Sequence, residues 1–269
     1  MPLVQTPGVL PPGAGGGAAE LSARRLLSAA AEAGGPLPAP PSGKPFPLRL
    51  CVPVVEPTVN RARRLYLRAA RRHLWTEMRL DFLENPDLAR LFRTLPGPVI
   101  ATNRPAAEGG RWTGPEGARR RLLEEALDRG AHFLDLELAA DPAWRREMRA
   151  RRGKTHFILS WHNSDGTPEA ERLEDLLAEM LTEEADVLKI VTWANLPEDN
   201  LRVLGLIPRA RAAGREIIAF CMGPAGAWSR LAAPFLGSYL SFAPFNRKRL
   251  SAPGQLTVDE LRRCWRTLK

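Results

Sequence analysis

Residues 155–191 read THFILSWHNSDGTPEAERLEDLLAEMLTEEADVLKIV. Thr155 to Ser160 is a short apolar run bounded by polar residues, which reads as a buried strand. Pro168 to Glu184 is long and amphipathic, with a proline near its start where the missing N–H costs nothing, so it reads as a helix. Val187 to Val191 is a second apolar run. A strand, a helix and a strand in this order make one βαβ unit, whose two strands lie parallel.

Outward from this unit the same alternation begins at Pro47 and continues to the C-terminus. Strands are predicted near Leu48 to Val55, Trp75 to Leu80, Val99 to Thr102, Phe133 to Glu137, Thr155 to Ser160, Val187 to Val191, Glu216 to Phe220 and Tyr239 to Phe242. Helices are predicted over Asn60 to Arg72, Pro86 to Leu95, Gly114 to Arg129, Pro142 to Arg152, Pro168 to Glu184, Pro197 to Ala213, Ala227 to Phe235 and Thr257 to Thr267. Gly130, Gly153 and Gly214 stand just past helix ends. Eight such units predict an α/β protein of the closed (β/α)₈ TIM-barrel kind. An open doubly wound sheet is the competitor, and the lack of a GxGxxG after the first strand counts against its dinucleotide-binding version.

The length of 269 residues suits one barrel, typically about 250 residues, with an extension. Residues 1–44 are rich in Pro, Gly and Ala and read as a disordered or weakly helical extension, with Leu21 to Ala33 its one helical stretch; 45–269 form the barrel. At 44% hydrophobic and 26% charged, the chain can bury a full core. No segment approaches the length of apolar residues that spans a membrane. The net charge is +9, but the runs Arg61 to Arg72, Arg119 to Arg121 and Arg145 to Arg152 fall at helical spacing beside Glu and Leu. They read as solvated helix faces, which argues against a nucleic-acid partner. Three cysteines without paired spacing give neither a disulfide framework nor a metal site. With no secretory signal pattern, the expected compartment is the cytoplasm.

In a β/α barrel the chemistry collects at the C-terminal strand ends. Only five of the 39 basic residues are lysines, and one of them, Lys189, lies in the sixth strand between apolar neighbours. Period-two alternation puts Val187, Lys189 and Val191 on one face. Desolvation inside a barrel favours the neutral amine, the form that attacks a ketone. A structural ion pair with Asp135 or Glu137 is the other reading of the same residue. His162, just past the fifth strand, suits general acid/base work or is a loop histidine without a role. Glu77 and Arg79 share a face of the second strand, as substrate contacts or as an ion-pair layer. Arg104 and Arg230 are candidate carboxylate clamps, because the guanidinium fork matches a carboxylate.

The ordered motifs narrow these alternatives. Glu77-Met78-Arg79-Leu80-Asp81-Phe82, Thr102-Asn103-Arg104 with Glu108-Gly109-Gly110, Asp135-Leu136-Glu137-Leu138, Ser160-Trp161-His162, Asp186-Val187-Leu188-Lys189-Ile190, Met222-Gly223-Pro224-Ala225-Gly226-Ala227-Trp228-Ser229-Arg230 and Ser251-Ala252-Pro253-Gly254-Gln255 together resemble the type I 3-dehydroquinate dehydratases. The resemblance spans about Leu48 to Leu268. It implies dehydration of 3-dehydroquinate to 3-dehydroshikimate by syn elimination, without cofactor or metal. Lys189 would form a Schiff base with the C3 ketone and His162 would move the protons, with Glu137 orienting it. Glu77 and Arg79 would hold ring hydroxyls, and Arg230, supported by Arg104, the carboxylate. Ser251 and Gln255 would belong to a covering lid. It also implies a homodimer. Asn103, Asn163 and a longer segment Pro244 to Leu250 depart from the family pattern. A class I aldolase-type barrel and a barrel that binds without turnover are the alternatives; the first lacks a clear phosphate-gripping loop, and the second has no need of Lys189, His162 and Glu137 together.

Overall fold

The computed structural model describes residues 48–268; the extension and its Leu21 to Ala33 stretch lie outside them. Eight parallel strands alternate with helices: β1 (Leu50–Val54), β2 (Trp75–Arg79), β3 (Val99–Thr102), β4 (Phe133–Glu137), β5 (His156–His162), β6 (Val187–Trp193), β7 (Glu216–Met222) and β8 (Ser241–Phe242). They pair in the order β7-β6-β5-β4-β3-β2-β1-β8. The Tyr239 N–H donates to the Ile217 carbonyl at 2.7 Å and brings the last strand against β7. A nearly closed (β/α)₈ barrel results, as the repeated βαβ pattern predicts.

The helices are α1 (Val59–Ala70), α2 (Leu88–Leu91), α3 (Glu116–Asp128), α4 (Pro142–Ala150), α5 (Ala170–Thr182), α6 (Asp199–Leu204), α7 (Leu206–Ala212), α8 (Ala227–Ala232) and α9 (Val258–Thr267). Most lay an apolar stripe on the barrel; α1, for example, buries Val59, Ala62, Tyr66 and Ala69, whereas α8 buries Ser229 and Arg230. Two predicted helices are shorter or broken. The stretch expected from Pro86 to Leu95 is helical only over Leu88–Leu91. The helix expected from Pro197 to Ala213 divides at Gly205, where Pro208 removes the N–H that would bond the Leu204 carbonyl four residues back.

The interior is layered because alternate residues of every strand point inward. Ile100, Phe133, Ile158, Val187 and Ile218 form an apolar plug with Cys51. Above it, toward the C-terminal ends, the next inward positions are Glu77, Asp135, Ser160 and Lys189, all buried. Burying a full apolar side chain stabilises by about 1.5–3 kcal/mol, so the plug is a foundation on which a buried charged ring can stand.

Two basic runs are not uniformly solvated. Arg119 and Arg145 are only 2% and 5% exposed. Arg145 turns to Glu183 at 3.1 Å, and Arg119 reaches into the barrel wall. Their neighbours Arg120, Arg121 and Arg146 remain on the outer face.

Candidate active site

A cavity of about 260 Å³ opens at the C-terminal ends of the strands, and Glu77, Arg79, Arg104, His162, Lys189, Arg230, Ser251 and Gln255 all line it. Eight of the nine residues singled out from the sequence therefore meet in one chamber. The ninth, Glu137, lies in the wall beneath it.

Lys189 is 4% exposed. Its Nζ donates to Asp135 Oδ2 at 2.8 Å and to Glu77 Oε1 at 3.4 Å, and lies 4.8 Å from the centre of the Phe242 ring. The ion pair expected as the alternative to reactivity is present, with Asp135 and not with Glu137, and the same amine faces the cavity. The two readings are compatible. Burial alone would raise the Asp135 carboxyl, but Arg104 and Lys189 beside it hold it well below the ordinary carboxylate range.

His162 ends β5 and is not a loop residue. Its Nδ1 lies 3.0 Å from Glu108 Oε2. The partner expected from the sequence, Glu137, makes no such contact. Register is the reason: Glu137 stands opposite Ser160, one inward position below His162. Glu137 instead accepts from Arg104 Nη1 at 2.8 Å and from Arg119 Nη1 at 2.7 Å. Burial, with the cations Arg104 and Lys189 nearby, depresses the His162 pKa well below its ordinary value, so the ring is neutral at pH 7. Glu108 is pushed up to about 7, by burial first and by the charges of Glu137 and Asp135, against the pull of Arg104. The pair thus holds its proton loosely near neutrality.

In the sequence Glu108 stands out only as part of Glu108-Gly109-Gly110, and its residue type alone assigns it no role. The signal was in the glycines. Gly109 has φ +73°, and a Cβ on Gly110 would fall 2.0 Å from the Arg104 carbonyl oxygen. Only a chain without side chains there can fold back on Arg104 and aim Glu108 at His162. The Arg111 N–H donates to Asp81 Oδ2 at 2.9 Å and ties this loop to β2.

The arginines differ in how free they are. Arg104 donates to Asp135, Glu137 and Ser160 at 2.6 to 2.8 Å and is 3.5 Å from Glu108. It is a cross-brace of the wall and has little left for a ligand. Arg79 is clasped by Asp81 through Nε and Nη2 at 2.8 and 2.6 Å. Arg230 is 1% exposed and packs on the Phe220 ring at 4.3 Å. Its Nε and Nη2 have no partner. Burial without a carboxylate nearby pulls its pKa down to about 9, which still leaves it charged at neutral pH. A buried guanidinium aimed at an open chamber is built for an anion.

Over the mouth, Ser251 and Gln255 bond each other: Gln255 Nε2 donates to Ser251 Oγ at 2.9 Å, and Gln255 Oε1 accepts from the Ser251 N–H at 3.0 Å. The segment rests on the loop after β7, where the Gly223 N–H donates to the Pro253 carbonyl at 3.3 Å. The departures find local uses. Asn163 Oδ1 accepts from the Asp165 and Gly166 N–H groups, and Asn103 Nδ2 donates to the Arg119 carbonyl.

Fold and site together define a (β/α)₈-barrel enzyme with its reaction chamber at the C-terminal strand ends. The Type I 3-dehydroquinase family model matches residues 50–269. A 3-dehydroquinate dehydratase of Desulfotalea psychrophila is 34% identical over 216 residues, 80% of this chain and 95% of the relative. Among solved structures, the 3-dehydroquinate dehydratase of Geobacillus kaustophilus HTA426 superposes with a TM-score of 0.72 at 29% identity, covering 84% of this chain and 91% of its own. The type I 3-dehydroquinate dehydratase of Clostridium difficile, solved with covalent modified comenic acid, gives 0.72 at 25% identity, covering 84% and 93%. The chain belongs to the type I 3-dehydroquinase family of hydro-lyases. Among the described residues no helix is long and apolar enough to cross a membrane.

Proposed function

We propose that the chain converts 3-dehydroquinate to 3-dehydroshikimate and water through a Schiff base on Lys189. The observation that carries this reading is the meeting, in one chamber, of a buried amine, a neutral imidazole and an unpartnered guanidinium. The amine attacks the C3 ketone, the carbonyl oxygen leaves as water, and an iminium stands where the ammonium stood. Asp135 and Glu77, which hold the ammonium, stabilise that cation equally well. The C2 proton beside it is then acidic, because the electron pair it leaves behind flows into the C=N bond. Neutral His162 takes that proton and returns it to the departing C1 hydroxyl on the same face, which releases the second water. Hydrolysis restores ketone and amine. Arg230 receives the carboxylate, Glu77 and Arg79 the ring hydroxyls, and Ser251 with Gln255 covers the site.

The covalent modified comenic acid in the Clostridium difficile structure supports covalent chemistry in this family. Incubation with 3-dehydroquinate and borohydride should add the mass of the reduced substrate to a peptide containing Lys189. A folded protein that leaves intact substrate unattached would sink the mechanism. The same reading extends to a cytoplasmic homodimer. The cysteines are unpaired, as in a reducing compartment, and exposed Leu196, Leu201 and Trp228 offer apolar surface to a second copy. Sedimentation at micromolar concentration as a single-chain species would refute the dimer.

A further inference from the structure

Arg119 is on α3, outside the barrel, and does not line the chamber. Yet two hydrogen bonds of its side chain tie it to the site. Its Nη1 donates to Glu137 Oε2 at 2.7 Å and to the backbone carbonyl of Asn103 at 2.9 Å, the residue before Arg104. From the solvent side Glu116 grips its Nε and Nη2 at 2.7 and 2.8 Å, so the guanidinium has one orientation. Beyond Glu137 the contacts continue without a gap to Arg104, from Arg104 to Glu108 at 3.5 Å, and from Glu108 to His162 at 3.0 Å.

We propose that Arg119 is a positioning residue of the reaction: from the outer helix it pins and neutralises one oxygen of Glu137, and thereby keeps Arg104 and Glu108 arranged to hold His162. The proposal rests on the role of His162 given above. Glu137 has two buried oxygens and two guanidinium partners, one for each. Without Arg119 its whole charge falls on Arg104, whose Nη1 is already shared with Ser160 and Glu108. The draw on Arg104 then loosens Glu108.

The electrostatic direction is the same. Glu108 faces His162 on β5, Arg104 on its own loop, Asp135 and Glu137 on β4 and Lys189 on β6. His162 in turn faces Arg104, Lys189, Asp135 and Arg79. Among these the Glu137 charge raises Glu108, and Arg119 is the counter-charge to Glu137. Its removal therefore moves the Glu108–His162 pair to titrate at higher pH. An arginine that served stability alone would lower the yield of folded protein and leave that titration where it was.

The test compares wild type, Arg119→Gln, Arg119→Lys and Glu116→Gln in kcat and KM against pH, with borohydride trapping at Lys189 and a thermal melt for each. Arg119→Gln should lower kcat about 10- to 100-fold, leave KM within about threefold, and move the acidic limb of kcat alkaline. Arg119→Lys, which restores the charge but not the Glu116 fork, should return the limb more fully than the rate. Glu116→Gln, at a half-exposed position, should fold, free the guanidinium from its single orientation and lower kcat by less than Arg119→Gln does, with KM within about threefold. If Arg119→Gln does not fold, the other two variants decide. An unmoved limb in folded Arg119→Gln, or a wild-type kcat in both Arg119→Lys and Glu116→Gln, overturns the role of Arg119 while the wild-type adduct at Lys189 stands; absence of that adduct overturns the reaction itself.

Discussion

Three residues show how a buried charge divides between stability and function. Arg230 carries two guanidinium nitrogens with no partner at 1% exposure, and each buried unsatisfied donor costs about 1–3 kcal/mol. Arg230→Met should therefore raise the stability of the ligand-free protein by about 1–3 kcal/mol in urea unfolding, while KM rises at least 100-fold. A fall in stability would mean that the guanidinium is already satisfied. Glu108 and Glu137 divide in the opposite way. Glu108→Gln removes the charge that faces the His162 Nδ1, although the amide can keep the contact, and should lower kcat about 100-fold without loss of stability. Glu137→Gln leaves two buried arginines short of a charge and should cost about 3–5 kcal/mol of folding. Rate and stability measured on both variants distinguish the carboxylate that serves His162 from the one that braces the wall.

Elements matter here mainly through the short loops they carry. The Ser251-Ala252-Pro253-Gly254-Gln255 segment lies on Gly223, and Gly254 has φ +79°, with its absent Cβ only 2.2 Å from the Gly223 carbonyl oxygen. Alanine there is strained by conformation, about 1–2 kcal/mol, and by contact. Gly254→Ala should undock the segment and carry Ser251 and Gln255 off the chamber, raising KM about 10-fold with the melt nearly unchanged, because α9 keeps its own start: Thr257 accepts from the Glu260 N–H and Glu260 reaches back to Thr257. Substrate titration reads this directly, and an unaltered KM would show that docking of the segment is unimportant. The loop after β3 obeys the same rule, with Gly110 against Arg104. In both places glycine is present because two backbones touch.

At the scale of the whole barrel, three groups of the chamber and its wall make opposing contributions to the dependence of stability on pH. Burial and nearby cations depress His162, so its contribution is present above about pH 6.5 and is lost as pH falls. Glu108, raised to about 7, has the opposite sign: its contribution is complete below the unfolded carboxyl value, near 4.3, and disappears as pH rises through 7. Asp135 is depressed, so its contribution is present above about pH 3.9 and is lost below. Thermal midpoints should therefore be nearly flat from about pH 6.5 to 4.5 and fall steeply below about 4. In Glu108→Gln the decline should begin near pH 6.5, since nothing then offsets His162; a wild-type-like curve in that variant would refute the opposition. By itself the sequence determined the barrel, since eight βαβ units with period-two strands have few ways to bury their faces. It also determined that Lys189, His162 and Arg230 meet, because residues at the C-terminal ends of barrel strands converge whatever the details. The partners were decided by tertiary structure alone. Glu137 and Glu108 are both carboxylates within reach of His162 in outline, and only the stagger of β4 against β5 and the fold-back at Gly110 separate them. Arg119 reads as one more arginine of a surface run until α3 packs on the barrel and turns it inward. Hydrogen bonds depend on ångström distances between strands, and no pattern along one chain encodes those.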